Sequence, residues 1–359
     1  MRNVAITRPG SAHAGGRAGR RIGASAAAAG LLVLTGVTAC SSSGSASPAS
    51  SPAATSTTSA NTVNVSDVTL NIGDQAGSGA EALLTAAGLI NKLPFKAHWA
   101  DFTSGPPMLQ AMGAGSVDVG GVGDAPPVFA AAGGSQIAVV SATVSDPDSA
   151  ALLVPKNSPI KTVAQLKGKT IAVAQGSSAN YHLLAILTKA GLTIKDVKVD
   201  YLQPAEGQAA FASGHVAAWD VWSPFIEQAE VQDGAKVLAN GSSVGTTYSF
   251  VVASRAALGN PAKAAAIHDY LQLLDQAYSW VSTNQSSWAS TWAKATGLPS
   301  AVMTKAVADD KPVPQAITPA VISNEQNVAN AFTSAGLIPT HVDFGNFAVS
   351  TFNNILSGS

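Results

Sequence analysis

Hydrophobic and polar positions divide the chain into three regimes. A basic start runs into an apolar stretch at 22–37, and a stretch of Ser, Ala, Thr and Pro without charge follows at 41–66. From Asp67 onward, short apolar runs alternate with helical spacing. Residues 68–72 read as a strand, and 79–91 as a helix with Ala82, Leu83, Ala86, Ala87 and Ile90 on one face. Further strands are predicted at 96–101, 117–122, 137–141, 151–154, 170–174, 198–202, 217–222 and 249–253, with Ala-rich helices at 107–114, 178–190 and 205–212. From 261 to the end the pattern predicts helix, with strand content only around 341–344. Such alternation predicts an α/β fold of open, mostly parallel sheets covered on both faces.

A folded part of this size suits two lobes better than one core. The extended runs at 151–155 and 248–253 are the expected hinges. They divide the chain into a first lobe at 67–152, a second lobe at 153–248 and a mainly helical return to the first lobe at 249–359. A double crossing of this kind places a ligand cleft at the lobe boundary, beyond the carboxyl ends of the strands.

Charge changes the picture at the start of the chain. The total is -1, but Arg2, Arg8, Arg17, Arg20 and Arg21 all lie before Cys40 with no Asp or Glu among them. The remainder is acidic, near -6, with Arg255 as its only arginine. That balance excludes a basic nucleic-acid binder and leaves almost no candidate for a bidentate arginine clamp. The basic start, the short apolar run and Val37-Thr38-Ala39-Cys40 make a secretory signal ending in what resembles a bacterial lipobox. Residues 1–39 are therefore expected to be a lipoprotein signal peptide, with Cys40 the lipid attachment site and 40–66 a disordered tether. The protein is expected to be exported and anchored by that lipid to the outer face of the cytoplasmic membrane. Arg20-Arg21 matches a twin-arginine signal poorly.

Four small-residue loops precede predicted helices. They are Gly73-Asp74-Gln75-Ala76-Gly77-Ser78, Phe102-Thr103-Ser104-Gly105-Pro106-Pro107, Gly120-Gly121-Val122-Gly123-Asp124-Ala125-Pro126-Pro127 and Gln175-Gly176-Ser177-Ser178-Ala179-Asn180-Tyr181. At such turns, free backbone N–H groups and the positive helix end can receive an anion, whereas Ser, Thr or Asp can equally serve as a cap. Gln75, Ser104, Gly105, Gly123, Asp124, Ser177, Ser178, Asn180 and Tyr181 are the ligand-binding candidates there. Asp124 fits capping best, since a carboxylate repels a bound anion.

Gly105-Pro106-Pro107-Met108-Leu109-Gln110-Ala111, Gly115-Ser116-Val117-Asp118-Val119-Gly120 and Gly123-Asp124-Ala125-Pro126-Pro127 form one set of recognisable motifs. A second set is Asn157-Ser158-Pro159-Ile160-Lys161-Thr162-Val163-Ala164-Gln165-Leu166-Lys167-Gly168-Lys169, Gly176-Ser177-Ser178, Tyr201-Leu202-Gln203-Pro204-Ala205 and Ala218-Trp219-Asp220-Val221-Trp222-Ser223-Pro224. Over most of 68–343 the chain resembles the periplasmic aliphatic sulfonate-binding proteins of ABC importers, within the nitrate-, taurine- and sulfonate-binding superfamily. The resemblance implies a two-lobed periplasmic-binding-protein fold of type II. It also implies capture of a small anionic ligand, a sulfonate, by hinge closure and delivery to ABC permease and ATPase subunits. A monomer is expected, touching the membrane only through its lipid, with no cofactor, no metal and no catalytic residue. Ser223, where the family usually has Asp, and Ala179, Asn180 and Tyr181, where it usually brings a further hydroxyl or a His, depart from the pattern. They bear on which ligand is taken.

A sulfonate is a permanent anion with no proton to give, so its site needs only donors. Its tail needs apolar cover, for which Trp219, Trp222, Phe102 and Tyr181 are candidates. The spacing of three puts the two Trp on opposite strand faces, so only one is expected to reach the ligand. Taurine- or nitrate-type ligands are the alternative within this reading. Desulfinase-like or thiamin-pyrimidine-like enzymes on the same fold, and a purely structural lipoprotein, are the rival classes. The single Cys belongs to the lipobox, leaving no thiol nucleophile in the folded part. His98, His182, His215, His268 and His341 are scattered without metal spacing, and His182 is expected to be a partly exposed helix residue.

Overall fold

The structure, a computed structural model, describes residues 63–75 and 79–358. The signal peptide, Cys40, the tether up to residue 62 and the loop residues Ala76, Gly77 and Ser78 lie outside the described residues. The folded domain begins inside the stretch expected to be tether: Val65 is buried in the first core and accepts a turn hydrogen bond from the Val68 N–H at 2.9 Å.

In chain order, β1 (Thr69–Gln75), α1 (Ala80–Ala86), β2 (Lys96–Phe102), α2 (Gly105–Gly113), β3 (Val119–Gly123), α3 (Ala125–Ala132) and β4 (Ile137–Val144) open the first lobe. The second lobe holds β5 (Ala150–Val154), β6 (Thr170–Val173), α4 (Ser178–Lys189), β7 (Lys198–Tyr201), α5 (Pro204–Ala212), β8 (Ala218–Trp222), α6 (Phe225–Asp233) and β9 (Lys236–Asn240). The chain then returns through β10 (Tyr248–Ser254), α7 (Arg255–Leu258), α8 (Pro261–Val281), α9 (Gln285–Thr296), α10 (Ser300–Asp309), β11 (Val313–Gln315) and α11 (Pro319–Ser334).

The first sheet has the order β11-β4-β10-β3-β1-β2, and the second β7-β6-β8-β5-β9. In each, the strand that arrives from the other lobe runs against its neighbours. β10 is antiparallel to β3 and β4, and β5 is antiparallel to β8 and β9, while β1–β2, β1–β3, β6–β7 and β6–β8 pair in parallel. Both faces of both sheets are covered. On the first sheet, Leu70, Ile72, Ile267, Tyr270 and Trp292 belong to one core and Met108, Val128, Phe250 and Phe332 to the other. On the second, α4 and α5–α6 supply Leu183 and Leu187 on one side and Phe211 and Ile226 on the other. No helix among the described residues is long and apolar enough to cross a membrane.

Strand β3, Val-Gly-Gly-Val-Gly, is built for close approach. A Cβ on Gly120 would collide with Met108 Sδ and lie 2.8 Å from the Gly73 carbonyl oxygen. Glycine there lets α2 sit directly on the strand and keeps the cleft-side backbone bare.

The structure moves several predicted boundaries. The expected hinge runs are themselves strands, each wholly inside one sheet. The chain passes between sheets just before them, at 145–149 and 241–247. The helix expected over 79–91 ends at Ala86, because Gly88 takes a left-handed φ of 69° and a separate 3-10 turn, Ile90–Lys92, follows. The strand content expected around 341–344 is instead at β11, whose Val313 pairs with Val144. Asp343 caps a 3-10 turn, Phe344–Phe347, and only Ala348 bridges to Val139. Short apolar triplets flanked by Pro carry little periodicity by which to tell these two apart.

Candidate functional site

A cavity of about 230 Å³ lies between the two sheets. That is smaller than the ~300–1,000 Å³ typical of drug-sized sites and suits a compact solute. Its walls are the carboxyl ends of β1 and β3, the start of α4, the two crossings, and one stripe of α8 formed by Tyr270, Leu274, Tyr278 and Val281. That spacing is one helical face. Of the predicted residues, Gln75, Gly105, Gly123, Asp124, Ser177, Ser178, Tyr181 and Trp222 line the cavity; Ser104, Asn180 and Trp219 do not.

The four glycine loops are chemically unequal. In the first, the Asp74 carboxylate accepts the N–H groups of Gln75, at the end of β1, and of Ala80 and Glu81 at 2.9–3.0 Å, so the first two donors of α1 are spent. Gln75 Nε2 donates to the Gly121 carbonyl at 2.8 Å, which ties β1 to β3. At α2 and α3 the first turn contains Pro106, Pro107, Pro126 and Pro127, which have no N–H, and the Ala125 N–H is taken by Asp124 at 2.7 Å. Ser104 is fully buried without capping its helix; its hydroxyl donates to Gln203 Oε1 in the second lobe at 2.8 Å, and Thr103 does the same at 3.0 Å. Ser104 is thus a tie between lobes, outside the cavity wall.

Only α4 leaves its start open. The Ser177 hydroxyl donates to the Ala174 carbonyl at 2.7 Å and accepts from the Asn180 N–H at 3.3 Å, so Ser177 is the cap. Asn180 Oδ1 accepts from the Gly176 N–H at 3.1 Å, which fixes the loop from behind, and burial of the whole residue keeps it off the cavity. The N–H groups of Ser178 and Ala179 have no partner among the described residues. They are the unspent donors of a positive helix end.

Behind this opening sits a buried titratable network. Burial lifts the Asp124 carboxyl to about 6, with the Ser178 hydroxyl and the Ala125 N–H working against the rise. Burial and then the charge of Asp124 hold Glu325 well above the usual carboxylate range. Tyr181 is pushed up to about 12 by burial and by both carboxylates. His182, expected to be partly exposed, is 2% exposed and lines the cavity. Its Nδ1 lies 2.9 Å from both Asp220 oxygens, while its Nε2 has no partner among the described residues. Burial is the largest single influence and lowers the imidazole, but the charge and hydrogen bond of Asp220, with Asn240 and the charge of Asp124, together outweigh it and hold His182 above its ordinary value. His182 is buried because α4 packs on β8 on one side and on α3 and α11 on the other.

The Trp pair separates as strand geometry requires. Trp219 is 1% exposed and packs on α5, where a Cβ on Gly207 would lie 2.7 Å from its Nε1. Its ring meets Phe211 and Phe225 at 6.0 and 6.4 Å, so it is core, while Trp222 on the other face reaches the cavity.

Sequence reasoning missed the hydroxyls at the crossings, namely Thr143, Ser145, Ser149, Thr247 and Ser249, where Ser145 and Ser249 meet at 3.1 Å. It also missed Asp74, Tyr270, Tyr278 and Asp310. The signal that could have found the phenols was the α8 stripe, whose polar hydroxyls recur on an otherwise apolar face. Among the described residues no group of His, Cys, Asp and Glu could hold a metal ion.

Comparison with known proteins adds four findings. A family model described as ABC transporter, phosphonate, periplasmic substrate-binding protein matches residues 91–296. A chain of Escherichia coli (strain K12) named for binding aliphatic sulfonates is 36% identical over 283 residues, covering 77% of this chain and 88% of that one. The alkanesulfonate-binding protein SsuA from Xanthomonas axonopodis pv. citri, solved bound to MOPS, is 34% identical with a TM-score of 0.75 over 79% of this chain and 99% of its own. The fold also occurs in the desulfurization enzyme DSZB, a mutant of which was solved in complex with biphenyl-2-sulfinic acid. There the identity is 17%, the coverage 81% of this chain and 99% of that one, and the TM-score 0.60.

Proposed function

The chain belongs to the periplasmic substrate-binding proteins of ABC transporters, and on that premise we propose that it captures organosulfonates outside the cytoplasmic membrane and delivers them to an ABC permease. The observation that carries this reading is the open start of α4, where the N–H groups of Ser178 and Ala179 are unspent beside a cavity with no Lys or Arg among its described lining residues. A site of donors without cations suits a monoanion that never carries a proton. A phosphonate would bring up to two charges toward Asp124 and its buried neighbours, at a repulsive cost.

In this reading, the two N–H groups and the Ser178 hydroxyl hold the sulfonate oxygens. Gly105 and Gly123 let the headgroup approach backbone, and Tyr181 and Trp222 cover the first carbons of the tail. Ser177 and Asn180 shape the loop. The segments at 145–149 and 241–247 are the hinges of a closure in which Ser104 and Gln203 latch. A lipid on Cys40 tethers the domain, and the protein acts as a monomer without cofactor. The relatives named for binding sulfonates support the ligand class. A desulfinase reading is disfavoured, since the chain's single Cys is at position 40, ahead of both lobes.

A thermal-shift panel tests the ligand class. Butane-1-sulfonate, benzenesulfonate, MOPS, methylphosphonate, nitrate and biphenyl-2-sulfinate are compared at rising concentration. Binding at about 100 times Kd stabilises the native state by ~2.7 kcal/mol. Sulfonates raising the melting temperature while methylphosphonate and nitrate do not is the expected result; the reverse order overturns the proposal.

A further inference from the structure

The end of the second sheet away from the cavity carries a positive charge that the rest of the described chain lacks. The cavity is lined by Ala150 at the start of β5, Ser177 after β6, Trp222 at the end of β8 and Gly241 after β9. The opposite end is therefore the finish of β5 and the starts of β6, β7, β8 and β9. On it lie Lys156, Lys161, Lys167, Lys169, Lys195, Lys198 and Lys236, all exposed.

Strand pairing holds these lysines together. Val154 pairs with Lys236 and Thr170 with Lys198, and the Lys198 N–H donates to the Lys169 carbonyl at 2.8 Å. The Gly168 N–H donates to the Asp196 carbonyl at 2.7 Å, and a Cβ on Gly234 would lie 3.1 Å from Lys156 Cδ. Strands spaced at ~4.8 Å spread the lysines of this five-stranded sheet over roughly 20 Å. The acids on the same end are Asp196, which Lys167 meets at 3.3 Å, Asp200 and Asp233. Seven lysines against three aspartates leave four positive charges in excess. Across 63–149 and 245–358, fourteen acidic residues stand against seven basic ones, so the excess is local to this pole. Lysine on β7 and β9 guards those edge strands against pairing, but the lysines of the β5–β6 loop have no edge to guard.

We propose that this pole rests on anionic phospholipid headgroups, as a second membrane contact besides the lipid. None of the segments 154–170, 189–198, 213–216 and 233–237 contains Trp, Tyr, Phe or Arg, the residues that anchor protein interfaces. Lysine alone, a point charge on a flexible stem, suits headgroups that move and have no fixed shape. An anionic surface attracts such clusters, and the attraction fades within a Debye length. From the proposed function this takes only the lipid on Cys40. A tether of that composition and about 25 residues spans ~25–30 Å, which keeps the domain within reach, so that weak contacts suffice. Resting on its second lobe confines the domain to the plane in which a permease lies.

Vesicle sedimentation tests this with the chain from residue 40 onward carrying Cys40→Ala, so that no lipid contributes. Vesicles of phosphatidylcholine alone are compared with vesicles containing about one third phosphatidylglycerol. Binding is expected only to the second, weakening at least tenfold between about 0.01 and 0.1 M salt, as the Debye length shrinks from ~30 to ~10 Å. Lys156→Gln, Lys169→Gln, Lys195→Gln and Lys198→Gln together are expected to weaken it at least tenfold. Lys92→Gln, Lys96→Gln, Lys294→Gln and Lys311→Gln remove the same charge from exposed positions outside the second lobe and are expected to leave binding within twofold. Both sets are solvent-exposed, so melting curves close to wild type are expected for each. No binding to the anionic vesicles at low salt, or equal loss in the two variants, overturns the proposal. Capture by polyglutamate beads as strong as by anionic vesicles marks a site for an acidic polypeptide and overturns it too. Palmitate incorporation reads the Cys40 anchor separately, so the two readings fail apart.

Discussion

A Cβ built on Gly123 would collide with the Ser178 hydroxyl oxygen and lie 3.1 Å from Ser178 Cβ. Gly123 ends a strand of the first lobe and Ser178 begins a helix of the second, so this contact is where the lobes meet over the proposed headgroup site. Gly123→Ala is therefore expected to hold the lobes apart by a few tenths of an ångström and misplace the Ser178 hydroxyl. Overpacking of this kind costs about 1–2 kcal/mol, or on the order of tenfold in affinity. If the lobes part without ligand, as the proposed closure implies, that contact is relieved and the melting temperature without ligand is expected to stay close to wild type. Calorimetry on the alanine variant checks this, and unchanged affinity would mean that the two loops do not meet in the bound state.

The two adjacent serines are expected to fail differently. Ser177 caps α4, so Ser177→Ala is expected to lower stability by ~1 kcal/mol with little effect on binding by the surviving native protein. Ser178 lines the cavity with its hydroxyl beside Asp124; if that hydroxyl turns to the sulfonate as proposed, Ser178→Ala is expected to weaken binding by ~1.5–3 kcal/mol, tenfold to a hundredfold, with a smaller effect on melting. Melting curves and titrations on the same samples separate the two roles; a swap of the phenotypes would reassign the cap.

Much of this was readable from residues alone, and the exceptions have physical causes. The alternation of runs predicts both sheets, and the Gly176-Ser177-Ser178 turn points to α4. The absence of N–H groups at Pro106, Pro107, Pro126 and Pro127 is equally visible in the sequence and already limits two of the four loops as anion sites. Which serine caps depends on hydroxyl direction, which no spacing encodes. Burial of His182 depends on α11, far along the chain, covering α4. The cavity wall brings Asp74, the α8 phenols and Asp310 from distant parts of the chain, which local periodicity cannot carry. The crossings fall outside the expected runs because extended runs mark the strands that receive the chain after a crossing, while the crossings themselves are short loops rich in Ser, Asp, Gly and Thr.

Cys40 is expected to carry the lipid. Cys40→Ala would then release the protein from membranes or leave its signal peptide uncleaved. Absence of radiolabelled palmitate from the wild-type protein in its native host would refute the anchor.

The buried acids make both stability and binding depend on pH in a predictable direction. Asp124, lifted by burial to about 6, and Asp310, lifted to about 7, have folded values above the ordinary 3.8 of an unfolded Asp. Each therefore holds its proton more tightly when folded, so its stabilising contribution is complete below pH 4 and disappears as pH rises through 6 and 7. His182 has the same sign, because Asp220 raises it above 6.5 and its contribution is lost as pH climbs past the raised value. These groups are thus expected to make the native state melt several degrees higher at pH 5 than at pH 8. Binding follows the Asp124 carboxyl beside the proposed headgroup site. Ionisation of Asp124 opposes a sulfonate, so affinity for butane-1-sulfonate should fall by up to about tenfold between pH 5 and 8, equivalent to ~1.4 kcal/mol. Asp124→Asn keeps an acceptor for the Ala125 N–H and should flatten that profile. Titrations at four pH values measure the slope, and a butane-1-sulfonate affinity that rises with pH would remove Asp124 from the headgroup site.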